Sequence, residues 1–227
     1  MSILLFIGIA LISYLVQANL KAKMNKYSRQ LLASGLTGRE VAERMLRENG
    51  IYNVSVTCTP GFLTDHYNPT TATVNLSEAV YHGRSVASAA VAAHECGHAV
   101  QHATAYGPLT LRTALVPAVT FASSIVSWVL LAGILLIEVV PQIMLGGIIL
   151  FALTTLFSFV TLPVEIDASR RATRWLEASG VAAPYEKQAV VSALSSAAYT
   201  YVAAALSSLA TLIYYVLQYM AHSSSDD

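Results

Sequence analysis

The sequence predicts a mostly α-helical membrane protein, with four transmembrane helices and a cytoplasmic unit of helices around a small sheet. Three observations carry that expectation. Hydrophobic residues make up 55% of the 227 and charged residues only 11%, less than half of the roughly 25% usual in soluble domains. Four apolar stretches, about 3–20, 115–137, 143–164 and 197–219, each approach the ~20 residues that cross a bilayer. All 13 Lys and Arg lie from Lys21 to Arg112 or from Arg170 to Lys187, and the positive-inside bias makes both segments cytoplasmic. Four crossings then put both termini, and the link around Glu138 and Pro141, outside. The whole chain, 1–227, reads as one integral membrane domain whose cytoplasmic parts are 21–112 and 165–190.

The first stretch is expected to be a retained anchor. No basic residue precedes it, Lys21, Lys23, Lys26 and Arg29 follow it, and no small-x-small cleavage site stands out. "LTGREVAERMLRENG" then opens on a capping box, Thr37 with Glu40 three residues on, and Gly50 suits its stop. Val41, Ala42, Met45 and Leu46 form one apolar stripe, so this is an amphipathic helix. "YNVSVTC" and "TATVNLS" alternate apolar and polar residues, the period of short strands. Pro60-Gly61 and Asn68-Pro69 punctuate the segment between them. Ser85 is a fair N-cap for an alanine-rich helix running to about Tyr106, where Gly107-Pro108 should end it. After the third apolar stretch, "LPVEIDASRRATRWLEASG" should stay helical to Glu177. "PYEKQAVVSAL" reads as a short surface helix, and "SSSDD" as a disordered tail. Cys58 and Cys96 fall in the cytoplasmic segments and are read as reduced thiols. No basic arm suggests nucleic acid.

The alanine-rich helix contains "VAAHECGHAVQH", Val91–His102. His94 and His98 are four apart, so they stand one above the other on a helix, about 5–6 Å between Cβ atoms. Two imidazoles so placed meet a single Zn²⁺ at about 2.0–2.1 Å. Glu95 is rotated about 100° from His94, where it reaches the metal's water without ligating the metal. This H-E-x-x-H pattern provides two ligands and a general base in five residues. The pattern makes the cytoplasmic part a zincin-like unit, built from the motif helix, a two- or three-stranded sheet and a helix bearing a further ligand. Packed core histidines are the bland alternative, and a complete motif on a well-formed helix argues against it. His102 continues the same face but lies about 12 Å from His94 at 1.5 Å per residue, too far to share one ion. It is expected to be a supporting or surface residue.

A catalytic zinc needs a third protein ligand and one open position. On the cytoplasmic side the candidates are Glu165, Asp167, Glu177, His66, His82 and Glu78. Glu165 is the best placed, because a carboxylate where an apolar span leaves the membrane is costly unless paired or coordinated. Its other reading is an ion pair with Arg170 or Arg171. Cys96 should point away from the metal. His66 and His82 are candidate donors toward substrate.

With "LTDHYNP…TVNLSEAVY" ahead of "AAHECGHAVQ" and "LPVEIDASRRA" after a paired membrane passage, nearly the whole chain resembles the YugP-like neutral zinc metallopeptidases of bacterial membranes. The resemblance implies a membrane-embedded zinc endopeptidase of the bacterial plasma membrane, with one Zn²⁺ per chain, a polypeptide substrate and an active site on the cytoplasmic face. It implies Glu165 as third ligand, by analogy with the HtpX and CaaX-prenyl types, which carry E-x-x-A-D after a later span. Here Asp167 follows Glu165 by two residues rather than four, and Ser169 occupies the one-turn position.

Substrate is expected to pair along "TATVNL" as a free edge. The competing class is a non-enzymatic membrane adaptor with a structural zinc site, which would not need Glu95 and would recruit a fourth ligand. A transporter is disfavoured, because no charged residue or histidine lies mid-span.

Overall fold

The computed structural model describes residues 2–223; the predicted tail from 224 on lies outside the described residues. Contacts divide the chain into two compact units, one of residues 14–109 and 163–200, the other of the first 13 residues, 110–162 and those from 201 on.

The second of these units is helical. Its core joins Val126 and Leu130 to Met144 and Ile148, and Phe151 meets Tyr215 edge-to-face with ring centroids 5.9 Å apart. Among the described residues four helices are long and apolar enough to cross a membrane: α1 (Ser2–Ser28), α5 (Gly107–Leu135), α6 (Pro141–Ala178) and α7 (Lys187–Ser223). Each begins before the apolar stretch that predicts it, and all but α5, which stops at Leu135, also run past its end, so hydropathy locates the helices and misses their ends. The short surface helix expected at "PYEKQAVVSAL" to lead into the last apolar stretch is continuous with it. A single 3₁₀ turn, Pro184–Glu186, leads straight into α7, since nothing in "KQAVVSAL" breaks a helix.

The other unit builds the site. α2 (Gly38–Glu48) starts on the predicted capping box, with Thr37 and Glu40 bonding each other's main chain, an arrangement worth about 1 kcal/mol. Gly50 ends it with φ +72°. Three strands follow, β1 (Ser55–Thr59), β2 (His66–Asn68) and β3 (Thr73–Ser77). Their order is β1-β3-β2, with β1 parallel and β2 antiparallel to β3. This corrects the expected free edge at 72–76. β3 is central, with Val74 and Leu76 fully buried, and the edge nearest the motif helix is β2. Asp65 locks β2 to the end of β3 by accepting the Ser77 N–H at 2.7 Å and its hydroxyl.

After the single turn α3 (Glu78–Tyr81) comes α4 (Val86–Ala103), capped by Ser85 as expected, whose hydroxyl accepts the Ser88 N–H at 3.1 Å. Gly107-Pro108 opens α5 rather than closing α4, because a proline in the first turn lacks only an N–H that has no helical partner anyway. α4 is buried almost throughout. Its alanines, with Val41, Ala42 and Met45 of α2 and Ala172 and Leu176 of α6, form the main core. Two tight joints shape this core. A Cβ placed on Gly97 would meet the Ala168 carbonyl oxygen at 2.7 Å, so glycine lets α4 and α6 approach backbone to backbone. The fully buried Glu186 accepts the main-chain N–H groups of Ala33 and Ala183 at 2.9 and 2.8 Å.

Candidate metal centre

Because Gly97 admits α6 so closely, the α4 face bearing His94 and His98 meets the first charged residue of α6, Glu165. The two imidazole rings stack edge-to-face with centroids 4.8 Å apart. His94 Nε2 lies 3.3 Å and His98 Nε2 3.6 Å from Glu165 Oε2. One ligand atom from each of the three residues falls within 4.8 Å of the others. Neither Arg170 nor Arg171 pairs with Glu165; Arg171 binds Asp167 at 2.6 Å instead.

Whether these residues fit a metal turns on one atom. Glu165 is only 3% exposed, and its Oε2 has no hydrogen-bond partner. An unanswered buried carboxylate oxygen is expensive, and a divalent cation between it and two imidazole nitrogens removes that cost. Two nitrogens and one carboxylate oxygen form a donor set that suits zinc and leaves a coordination position open. The group among the described residues contains no fourth His, Cys, Asp or Glu. The residues fit.

Each imidazole is steered from behind. Gln101, fully buried, donates through Nε2 to the Val164 carbonyl at 2.8 Å and to Asp167 at 2.9 Å. Its amide nitrogen therefore faces two acceptors, and Oε1 is left to accept from His98 Nδ1 at 3.0 Å. That fixes the proton on Nδ1 and turns the Nε2 lone pair of neutral His98 toward Glu165. Ser169 Oγ stands 3.1 Å from His94 Nδ1, the supporting place suggested for it by its one-turn offset from Glu165. Asp167 contributes through Gln101. Burial opposes the charged form of His98, but the carboxylates of Glu165 and Glu95 outweigh it and raise its pKa above the ordinary value.

Glu95 does not belong to the three-residue group. It is buried, and its Oε2 accepts the main-chain N–H of Tyr67 in β2 at 3.0 Å. The Tyr67 hydroxyl in turn meets His102 Nδ1 at 2.9 Å, so His102 has a structural partner away from the triad. Cys96 is buried on the opposite side, its thiol directed at the Ala42 carbonyl and its pKa pushed well up by burial. His66 and His82 are exposed. His66 Nδ1 contacts the Thr64 carbonyl, and His82 stacks on Tyr81.

Two histidines a turn apart and a glutamate from a neighbouring helix form a group that could hold a metal ion, in a chain with four helices long and apolar enough to cross a membrane. The chain belongs to the family described as "Putative neutral zinc metallopeptidase", whose profile matches residues 2–220. It is 44% identical over 209 residues to "Putative membrane protease YugP" of Bacillus subtilis (strain 168), covering 92% of each chain. No solved structure matches it with significance.

Proposed function

We propose that the chain is a zinc-dependent endopeptidase working as a single unit in a bacterial plasma membrane, with its site on the cytoplasmic face. The observation that carries this reading is the buried, unsatisfied Glu165 Oε2 facing the Nε2 atoms of His94 and His98. These three side chains would hold one zinc ion, which when bound supplies Lewis acidity toward water and a peptide carbonyl. Ser169 and Gln101 keep the imidazoles oriented. Glu95 takes a proton from the attacking water as the carbon–oxygen bond forms. It then delivers that proton to the amide nitrogen as the carbon–nitrogen bond breaks. The outer edge of β2 supports binding of an extended polypeptide, since an edge strand pairs with a peptide main chain whatever its sequence. The competing structural-zinc reading is disfavoured because the group among the described residues lacks a fourth donor. The cytoplasmic assignment rests on the placement of the 13 basic residues.

The test is cleavage of an unfolded polypeptide by the purified, zinc-analysed protein in detergent. Glu95→Gln keeps an oxygen able to accept the Tyr67 N–H but removes the base. Turnover should fall about 10²–10⁴-fold with zinc content unchanged, whereas Glu165→Ala should lose most of the zinc. Equal cleavage by Glu95→Gln, or no cleavage by the zinc-loaded parent, would sink the peptidase reading.

A further inference from the structure

α6 carries no charged residue from Pro141 to Val164, and its six charges all lie from Glu165 to Glu177. Of Asp, Glu, Lys and Arg, α7 has only Lys187, at its first position. The charged ends of both helices belong to the same compact unit, where they line an open groove of about 370 Å³. Arg170, Arg174 and Lys187 line it, with Glu177 the one acid on its walls. Lys187 is already answered by Glu177 at 2.8 Å. Among the described residues neither Arg170 nor Arg174 has a hydrogen bond or an ion pair. The remaining wall is largely apolar, from Ile166 on α6 and Val191, Leu194 and Ala198 on α7.

Two exposed guanidiniums without a hydrogen bond or ion pair among the described residues, Arg170 within electrostatic reach of Asp167, stand beside an apolar wall where two membrane-length helices change from apolar to charged, an arrangement suited to a ligand with an anionic head and a hydrocarbon body. We infer that this groove binds an anionic phospholipid, the guanidiniums taking its phosphate oxygens and the apolar wall the first part of an acyl chain. Arginine forks suit phosphate oxygens, and basic pockets between membrane helices recognise anionic headgroups. Free phosphate would leave the apolar wall unused. Ser169 also lines the groove while touching His94, so the lipid would sit one side chain from the candidate metal centre.

Native mass spectrometry of the full-length protein, with equal amounts of phosphatidylglycerol and phosphatidylcholine in the detergent micelles, tests this. The parent should retain phosphatidylglycerol preferentially. R170Q/R174Q, with zinc content unchanged, should lose about tenfold to thirtyfold of that preference, the worth of two basic residues near an anionic headgroup. V191E, which sets a carboxylate on the partly exposed opposite wall, should lose it without altering either arginine. Inorganic phosphate should leave the bound lipid in place. No preference in the parent, undiminished preference in both variants, or displacement by phosphate would each overturn the inference, the last by marking a plain anion site.

Discussion

The carboxylate of Glu95 and the main-chain N–H of Tyr67 share a 3.0 Å hydrogen bond, which ties the motif helix to the outer edge of the sheet. The group proposed to move the proton and the strand proposed to hold the substrate are therefore one hydrogen bond apart. Asp65 and its two bonds to Ser77 keep that strand from drifting, so the spacing is a property of the folded unit before any substrate arrives.

Gly97 is expected to be intolerant of any side chain. Gly97→Ala puts a methyl group 2.7 Å from the Ala168 carbonyl oxygen, and overpacking of this kind costs about 1–3 kcal/mol. Pushing α6 outward also separates Glu165 from the histidines. Zinc analysis and thermal unfolding in detergent should both register the loss. Because the clash is with backbone, adding Ala168→Gly should not restore either quantity. Full recovery in the double variant would show that side-chain crowding alone was responsible.

Gln101→Leu keeps the volume at a fully buried position while cutting the link from Asp167 to His98. Lost support behind a metal-bound imidazole typically weakens affinity about 10–100-fold. Competition with a chelator measures this directly. Gln101→Glu keeps an acceptor for His98 Nδ1 but turns a carboxylate oxygen on the Val164 carbonyl and Asp167, which now accept from the amide nitrogen, and should lose at least as much. Unchanged affinity in Gln101→Leu would assign Gln101 a packing role only.

The proposed membrane sidedness rests on the confinement of the basic residues to two segments. Single cysteines at the exposed positions Gln142 and Ser34, in a chain lacking the native thiols, should report opposite sides in intact cells. Gln142→Cys should label with an impermeant maleimide from outside, and Ser34→Cys only after lysis. The reverse pattern would put the candidate metal centre on the outer face.

His94, Glu95 and His98 are legible in the sequence because helical spacing alone puts them together. Glu165 could be singled out because charge is scarce in this chain and a carboxylate at the end of an apolar span has to be accounted for. The sheet order was not legible. β2 has three residues, His-Tyr-Asn, too few to show alternation, and the parallel pairing of β1 with β3 skips over it by a crossover that composition does not encode. Nothing in the sequence singles out Gln101. Its role depends on where Val164 and Asp167 come to lie, which the close contact at Gly97 sets. The helix ends fell outside the hydropathy reading for a similar reason, since a helix continues past the bilayer wherever packing and propensity favour it.

The donors of the candidate centre are divided by chain order as well as by helix: His94 and His98 precede α5, whereas Glu165 follows most of α6. A chain still emerging from the ribosome thus displays the two imidazoles without the Glu165 carboxylate until residues 110–162 have been made. Any fragment that ends before Glu165 lacks the third donor, and so does a nascent chain stalled there. The order of synthesis keeps the candidate metal centre incomplete until the long apolar passage between its halves exists.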